Sequence, residues 1–368
     1  MKVAFWLSAG LLVYTQAGYG VLLAALSRLR RPAPAPAPAT PPTVSLVVAA
    51  YAEESVIAGK VANALALDYP RERLEIVVAC DGSPDATAAL AREAGADVVL
   101  ELPRGGKIRA QDAAVAQARG EIVAFSDANA TWEPDALRRL VEPFADPGVG
   151  YACGQVRFVN EAGANEEGLY WRYEMWLRAM ESRLASVTGG NGAIYATRKE
   201  DYLVVDPVMG HDLSFPFNMV KRGRRAVYAS AAHATEKMVP SIEGEFARKR
   251  RMMSHAWPIV VRGGLLSPRG YPPLYALMIA SHRVLRYASP FLHVVAFVTN
   301  AALLGEGWIY VAAFAFQVAL LLAALVGGIR PFLIARYYVL TTASIAAGLY
   351  DWARHGTPAG WAPAEGTR

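Results

Sequence analysis

Cysteine is almost missing from this chain: Cys80 and Cys153 are the only two in 368 residues. Both lie in apolar, strand-like runs and show no metal-ligand spacing, so no zinc module is available and two buried free thiols in a reducing compartment are expected. Also missing are a Gly-x-Gly-x-x-Gly after the first strand-like run and a Gly-x-x-x-x-Gly-Lys-Ser/Thr anywhere, which removes the main support for dinucleotide and P-loop binding. Charge is missing from whole stretches. Val3 to Leu26 carries none, and at 1.5 Å per helical residue it is long enough to cross a hydrocarbon core of ~30 Å. With 54% hydrophobic and 19% charged residues, the composition falls between soluble and membrane classes.

A cleaved signal peptide would have an apolar core of only ~7–15 residues and a small-residue cleavage site, so the first segment reads as a retained anchor over residues 1–27. Arg28, Arg30 and Arg31 follow it, while only Lys2 and the amino terminus precede it. This asymmetry places the following residues in the cytoplasm. The basic and Pro/Ala-rich linker spans residues 28–42, and its Pro32–Pro38 repeat reads as a stiff polyproline II spacer. Three further spans are expected over residues 287–352: Tyr287–Leu304, Trp308–Val326 and Phe332–Tyr350, the last containing Arg336. A basic interfacial helical region covers 241–286, and 353–368 form a tail. The net charge of +5 is concentrated at Arg28–Arg31, Lys221–Arg225 and Arg248–Arg251. Those clusters suit anionic lipid and a diphosphate, and no nucleic-acid partner is expected.

Residues 43–240 alternate short β-branched runs with amphipathic stretches, the pattern of an α/β domain with a mostly parallel sheet flanked by helices. Strands are expected at Val44–Ala50, Leu74–Cys80, Asp97–Glu101 and Ile122–Ser126. Helices are expected at Glu53–Leu67, Pro84–Ala94, Lys107–Ala118 and Glu133–Phe144. In such sheets ligands bind beyond the carboxyl ends of the strands, and there the chain places Tyr51 to Glu53, Asp81 to Ser83, and Asp127 to Asn129. Asp81 is also good turn chemistry in its own right. Asp127 and Asn129 put a carboxylate and an amide, one residue apart, at the end of a buried strand.

These segments, together with Gly106-Lys107, Gly189 to Ala193, Gly210 to Asp212 and Arg248 to Arg251, resemble in order the inverting glycosyltransferases of family 2 in their membrane-integrated form. The resemblance covers roughly residues 43–255 and implies a GT-A fold, with the C-terminal spans as the family's membrane section. It further implies that Asp81 binds the nucleobase with Glu53 in the same pocket, and that Lys107 and Asp127 serve the donor. Asp127 and Asn129 then hold a divalent cation, Mg²⁺ or Mn²⁺. Asn129 departs from the family's second aspartate, offering a neutral oxygen where a carboxylate binds a hard cation more tightly. His233 is an additional candidate ligand, or else a structural histidine.

The chemistry needs a base for the acceptor hydroxyl. Asp212 matches the aspartate of the family's Thr-Glu-Asp motif and precedes an expected short helix, Leu213–Lys221; the alternative is a helix N-cap working with Ser214. His211 stands where that motif has glutamate. Arg248 and Arg251 occupy the first and fourth positions of the Gln-x-x-Arg-Trp motif, where planar guanidinium groups suit the departing diphosphate. Met252 replaces the motif's tryptophan, which puts processive synthesis in doubt. Gly190 and Asn191 are expected to form the floor beneath the sugar or acceptor.

The resulting expectation is a membrane-integrated transferase. It moves a sugar from a nucleoside diphosphate sugar, UDP-sugar foremost, to a lipid or polyprenyl acceptor at the bilayer. Polysaccharide extension is the alternative, with a glycan acceptor. A non-catalytic nucleotide- or lipid-binding subunit is disfavoured by the joint presence of Asp81, Asp127, Asp212 and Arg251. A nucleotidyltransferase would want a basic first loop, and Tyr51 to Glu54 is acidic.

Overall fold

The computed structural model describes residues 1–29, 40–159, 168–237, 242–326 and 329–360. The Pro32–Pro38 spacer and Arg30 and Arg31 lie outside them. Two compact units emerge: residues 26–240, 258–275 and 358–368 in one, and residues 1–25, 241–257 and 276–357 in the other.

The larger unit is built on one sheet. Its strands are β1 (Val44–Ala50), β2 (Leu74–Asp81), β3 (Val98–Leu102), β4 (Ile122–Asp127), β5 (Thr131–Trp132), β6 (Val149–Val159), β7 (Tyr195–Arg198) and β8 (Arg225–Lys237). Their order is β3-β2-β1-β4-β7-β6-β8-β5. Every residue of β1 and β2 is buried, as a continuous apolar run requires when helices cover both faces of a parallel strand. β1 pairs in parallel with β2 and β4, β2 with β3, and β6 with β8. β7 is antiparallel to β4 and β6, and β5 to β8. The sheet is therefore mixed: the four strands legible from their β-branched runs form its parallel half, and the four-residue β7 reverses direction in the middle.

Register positions the site. Ala49 is opposite both Ala79 and Asp127, and Ala50 is opposite Cys80. The segments after β1, β2 and β4 therefore leave one edge together, and that edge carries Tyr51 to Glu53, Asp81 and Asp127. Alternation sends successive side chains to opposite faces. Leu46, Ile76 and Ala124 pack with Trp132, Leu137 and Leu140 on one side. Val47, Val77 and Phe125 pack with Tyr195, Phe215 and Met219 on the other.

Helices start later than the sequence suggests where a turn takes the first residues. The Glu53 carbonyl accepts from the amides of Val56 and Ile57, so the helix begins at Ile57 and ends at Leu65. The segment expected as one helix over Glu133–Phe144 is a helix at Ala136–Val141 followed by a 3₁₀ turn. The helix after Gly210 instead starts early and runs His211–Lys221.

The second unit is helical. Among the described residues three helices are long and apolar enough to cross a membrane: Lys2–Arg28, Trp308–Val326 and Pro331–His355. The expected span at Tyr287–Leu304 is not among them. The helix there, Leu285–Ala301, runs on directly from the π-helical turn Ile279–Val284, and its apolar run is interrupted by Arg286, Pro290, His293 and Asn300. Trp308–Val326 presents Phe316, Leu325 and Val326 mostly exposed, the outward apolar surface that lipid would cover. Polar pairs link the helices, including Tyr14 Oη with Ser281 Oγ at 2.9 Å and His293 Nε2 with Tyr338 Oη at 2.7 Å.

Candidate active site

Asp81 ends β2 with its carboxylate 1% exposed. It accepts from Arg104 Nη1 at 2.6 Å, from the Gly105 amide at 2.6 Å and from the Gly106 amide at 2.9 and 3.1 Å. The Arg104 guanidinium also lies 3.3 Å from the centre of the Tyr51 ring, a cation–π stack at the end of β1. Asp81 is thus the hub joining the loops after β1, β2 and β3. Arg104 escaped the sequence reading; its only signal is its place just before Gly105-Gly106-Lys107. Glu53 is buried at 1% exposure, and its amide donates to Thr87 Oγ1 at 2.9 Å.

At the end of β4 the Asp127 carboxylate is paired with the Lys107 ammonium. Lys107 opens the helix Lys107–Gln117. Burial opposes its charge, but Asp127 in contact and Asp212 and Glu236 beyond hold the ammonium protonated above the ordinary lysine value. Behind the turn, buried Lys60 donates to the Ala130 carbonyl at 2.8 Å. Burial pushes its pKa down to about 7 against the pull of Asp127 and Glu236. Glu236, at the end of β8, therefore belongs to the same charge cluster, and nothing in the sequence pattern singled it out.

Among the described residues no three His, Cys, Asp or Glu side chains gather into a metal cage. The chain offers two hard oxygens, the Asp127 carboxylate, with its side chain 29% exposed, and the Asn129 amide oxygen. That set fits a divalent cation that completes its shell with phosphate oxygens and water. His233 is engaged at both ring nitrogens: Nδ1 lies 2.9 Å from Glu133 Oε2, and Arg157 Nη2 lies 3.1 Å from Nε2. A carboxylate at Nδ1 and an arginine at Nε2 suit a structural histidine with its proton on Nδ1.

The Gly189–Ala193 loop joins the two halves of the site. A methyl on Gly192 would lie 3.4 Å from Lys107 Nζ and 3.8 Å from Asp127 Oδ2, and one on Gly190 would lie 2.0 Å from Tyr151 Oη. At Gly190 only glycine allows so close an approach, whereas the Gly192 distances are ordinary contacts. The Gly190 amide donates to the Asp212 carbonyl at 2.6 Å, and its carbonyl accepts from Arg178 Nη2 at 3.0 Å. Asn191 spends its amide on neighbouring backbone, donating to the Gly154 carbonyl of β6 at 2.7 Å and accepting from the amides of Ala193 and Ile194 at 3.1 and 2.8 Å. It shapes the floor rather than presenting an amide to a ligand.

Asp212 sits in the first turn of the helix His211–Lys221, whose N-cap is Gly210 and which has no side-chain cap. The N-cap alternative for Asp212 is thereby overturned, and Ser214 Oγ donates instead to the Gly210 carbonyl at 2.7 Å. The positive end of the helix dipole favours a carboxylate there. Among the described residues no hydrogen bond or ion pair occupies this carboxylate, so its oxygens remain open to a proton donor. Beside it, His211 is buried and packs on Phe215 with ring centres 4.0 Å apart. Burial, with Lys107 adding to it, drives the His211 pKa down to about 3, so the imidazole is neutral.

Arg248 and Arg251 belong to the helical unit. Arg248 pairs with Glu245 through Nε at 2.7 Å and Nη2 at 2.8 Å. Arg251 has its pKa lowered by burial and by Arg248.

Comparison with known proteins agrees with this construction. Residues 45–202 match the family model described as Glycosyl transferase family 2. A beta-monoglucosyldiacylglycerol synthase of Synechocystis sp. is 38% identical over 164 residues, covering 42% of this chain and 33% of that protein. An N-acetylglucosaminyltransferase of Rhizobium leguminosarum bv. viciae is 30% identical over 154 residues, 40% of this chain and 36% of its own length. The chain thus spans about a third of the length of these curated relatives. Among solved structures, a mannosyltransferase from Pyrobaculum calidifontis in complex with GDP-Man and Mn²⁺ superposes with a TM-score of 0.74 at 23% identity. That match covers 96% of this chain and 100% of the other, and it establishes a shared GT-A fold. On the sheet, the order of its acidic edge and the family match, the chain carries a glycosyl transferase family 2 domain over residues 45–202.

Proposed function

We propose that this protein is an inverting glycosyltransferase that moves a sugar from a nucleoside diphosphate sugar to a lipid acceptor at a membrane. The observation that carries the reading is the open Asp212 carboxylate on a residue whose backbone carbonyl accepts from the Gly190 amide, in the same loop whose Gly192 borders the Lys107–Asp127 pair. One loop thereby couples a proton acceptor to a diphosphate-binding cluster.

In this reading the loops at Tyr51, Asp81 and Arg104 take the nucleobase, and Lys107 bears on the diphosphate. Asp127 and Asn129 hold a divalent cation, which when bound supplies positive charge to the diphosphate oxygens. Gly190 and Gly192 let the sugar approach the backbone closely. Asp212 accepts the proton of the acceptor hydroxyl as that oxygen attacks the anomeric carbon opposite the leaving diphosphate.

The mannosyltransferase neighbour was solved with GDP-Man and Mn²⁺, which supports a nucleotide sugar and a divalent cation; a UDP-sugar remains our first choice of donor. The glycolipid synthase relative and the three apolar helices support a lipid acceptor at a bilayer. The charge asymmetry around the first helix supports a cytoplasmic catalytic domain. The test is detergent-purified protein incubated with a panel of nucleotide sugars, with and without membrane lipid extract and with Mn²⁺ or EDTA. Nucleoside diphosphate release that depends on lipid is expected. Release unaffected by lipid would remove the lipid acceptor, and no release with any donor would remove the enzyme reading.

A further inference from the structure

The donor edge of the sheet carries one element that the proposed chemistry does not use. Pro358 to Gly360 lie against the loop Arg104 to Gly106. A methyl on Gly106 would come within 2.2 Å of the Ala359 carbonyl oxygen and 3.4 Å of the Ala359 Cβ, and one on Gly360 would lie 3.9 Å from Arg104 Nη2. These are the same two residues that close over Asp81. Arg104 donates to Asp81 and covers the Tyr51 ring, and the Gly106 amide donates to the Asp81 carboxylate. The segment therefore rests on the outer face of the clasp that leaves Asp81 1% exposed.

The clasp is built on glycine. Gly105 and Gly106 are consecutive glycines, and Gly106 has φ of +98°, a conformation that side chains disfavour and glycine tolerates. Opening it requires space on its outer side, and the Ala359 carbonyl fills that space. A nucleobase that is to stack on Tyr51 or reach Asp81 must displace Arg104, and the Ala359 carbonyl crowds Gly106 in the loop that would have to move with it.

We propose that Pro358 to Gly360 form a strap that holds the base end of the donor site shut, and that nucleoside diphosphate binding competes with it. The inference rests on the assignment of this edge to the nucleobase, and it adds a closed state that the donor must open. Affinity for the nucleotide is then the intrinsic affinity reduced by the fraction of molecules with the strap released.

The test is calorimetric titration of UDP and GDP, with Mn²⁺ and with EDTA, into four proteins: the full chain, a chain ending at Thr357, full-length Ala359→Glu, and Asp81→Asn. Ala359→Glu sets a carboxylate against the Asp81 clasp and dislodges the strap without shortening the chain, so the result does not depend on the truncated chain folding. The expected result is binding tightened about 3- to 10-fold in the truncated chain and in Ala359→Glu, the gain when a mostly closed state is released. Faster hydrogen exchange at the Gly105 and Gly106 amides is expected in the same two proteins. Unchanged or weaker binding in both overturns the strap, provided that Asp81→Asn still loses affinity. If Asp81→Asn also binds as the parent does, the assignment of the edge to the nucleobase falls, and the strap with it.

Discussion

Tyr195 Oη and His211 Nδ1 lie 2.8 Å apart in the core of the catalytic unit, and Gln111 Nε2 donates to the same tyrosine oxygen at 3.1 Å. Tyr195 is the first residue of β7 and stacks on Phe125 of β4 with ring centres 4.6 Å apart. The pair therefore ties the start of the Asp212 helix to the strand that carries Asp127. His211 is a neutral group, which suits its aromatic surrounding of Phe125, Tyr195, Tyr202 and Phe215.

That burial sets an acid-side prediction. The folded-state pKa of His211, about 3, lies below the ordinary value of about 6.5 for an unfolded chain. The unfolded state then binds the extra proton first, so this contribution to stability is intact above pH 6.5 and is lost as pH falls toward 3. His211→Gln should flatten the fall in melting temperature between pH 7 and pH 4, which thermal scans across that range measure. An identical slope in the variant would show that His211 does not control it.

Asp212→Asn keeps the shape of the side chain and removes its capacity to take a proton. Turnover should fall by about 10²–10⁴, with nucleotide affinity little changed and stability lowered by no more than the helix-dipole contribution of about 0.3–1 kcal/mol, because the carboxylate supports neither a cap nor an ion pair. Near-normal turnover on the active donor would remove Asp212 from the chemistry.

Lys107 and Asp127 predict opposite effects on cation and nucleotide. Lys107→Met takes a competing ammonium off Asp127, so Mn²⁺ binding to nucleotide-free protein should tighten while nucleoside diphosphate binding weakens. Asp127→Asn should weaken Mn²⁺ binding. Manganese titration followed by electron paramagnetic resonance distinguishes the two, and weaker Mn²⁺ binding in Lys107→Met would contradict the competition.

Gly190→Ala forces a methyl to 2.0 Å from Tyr151 Oη, where backbone or ring must shift. A loss of about 1–3 kcal/mol, the usual cost of overpacking, should appear as a lower melting temperature. The displaced Gly190 amide also loosens Asp212, so turnover should fall with nucleotide affinity preserved. A variant of parental stability and rate would show that the loop accommodates the methyl without cost.

Orientation is checked by cysteine labelling. A single cysteine placed at Glu72, in a background lacking Cys80 and Cys153, should resist a membrane-impermeant maleimide in right-side-out vesicles and react after permeabilisation. Labelling without permeabilisation would invert the assignment.

The sequence by itself determined the parallel half of the sheet, since unbroken β-branched runs such as Val44–Ala50 can be buried only between two helical layers. It also determined the order of the acidic edge at Asp81 and Asp127, and the apolar helices at either end of the chain, because local pattern and length suffice for both. Tertiary structure alone decided the direction of β7, the neutral state of His211 in its aromatic surroundings, the engagement of His233 by Glu133 and Arg157, and the tie of the Asn191 amide to Gly154 of β6. It also decided that Asp212 lies beyond the cap with its carboxylate open, that Arg104 closes on Asp81, that Glu236 bears on Lys107 and Lys60, and that Ala359 lies against Gly106. Each of these depends on partners far apart in the chain, and hydrogen bonds and burial between such segments leave no periodic trace in the residues that make them.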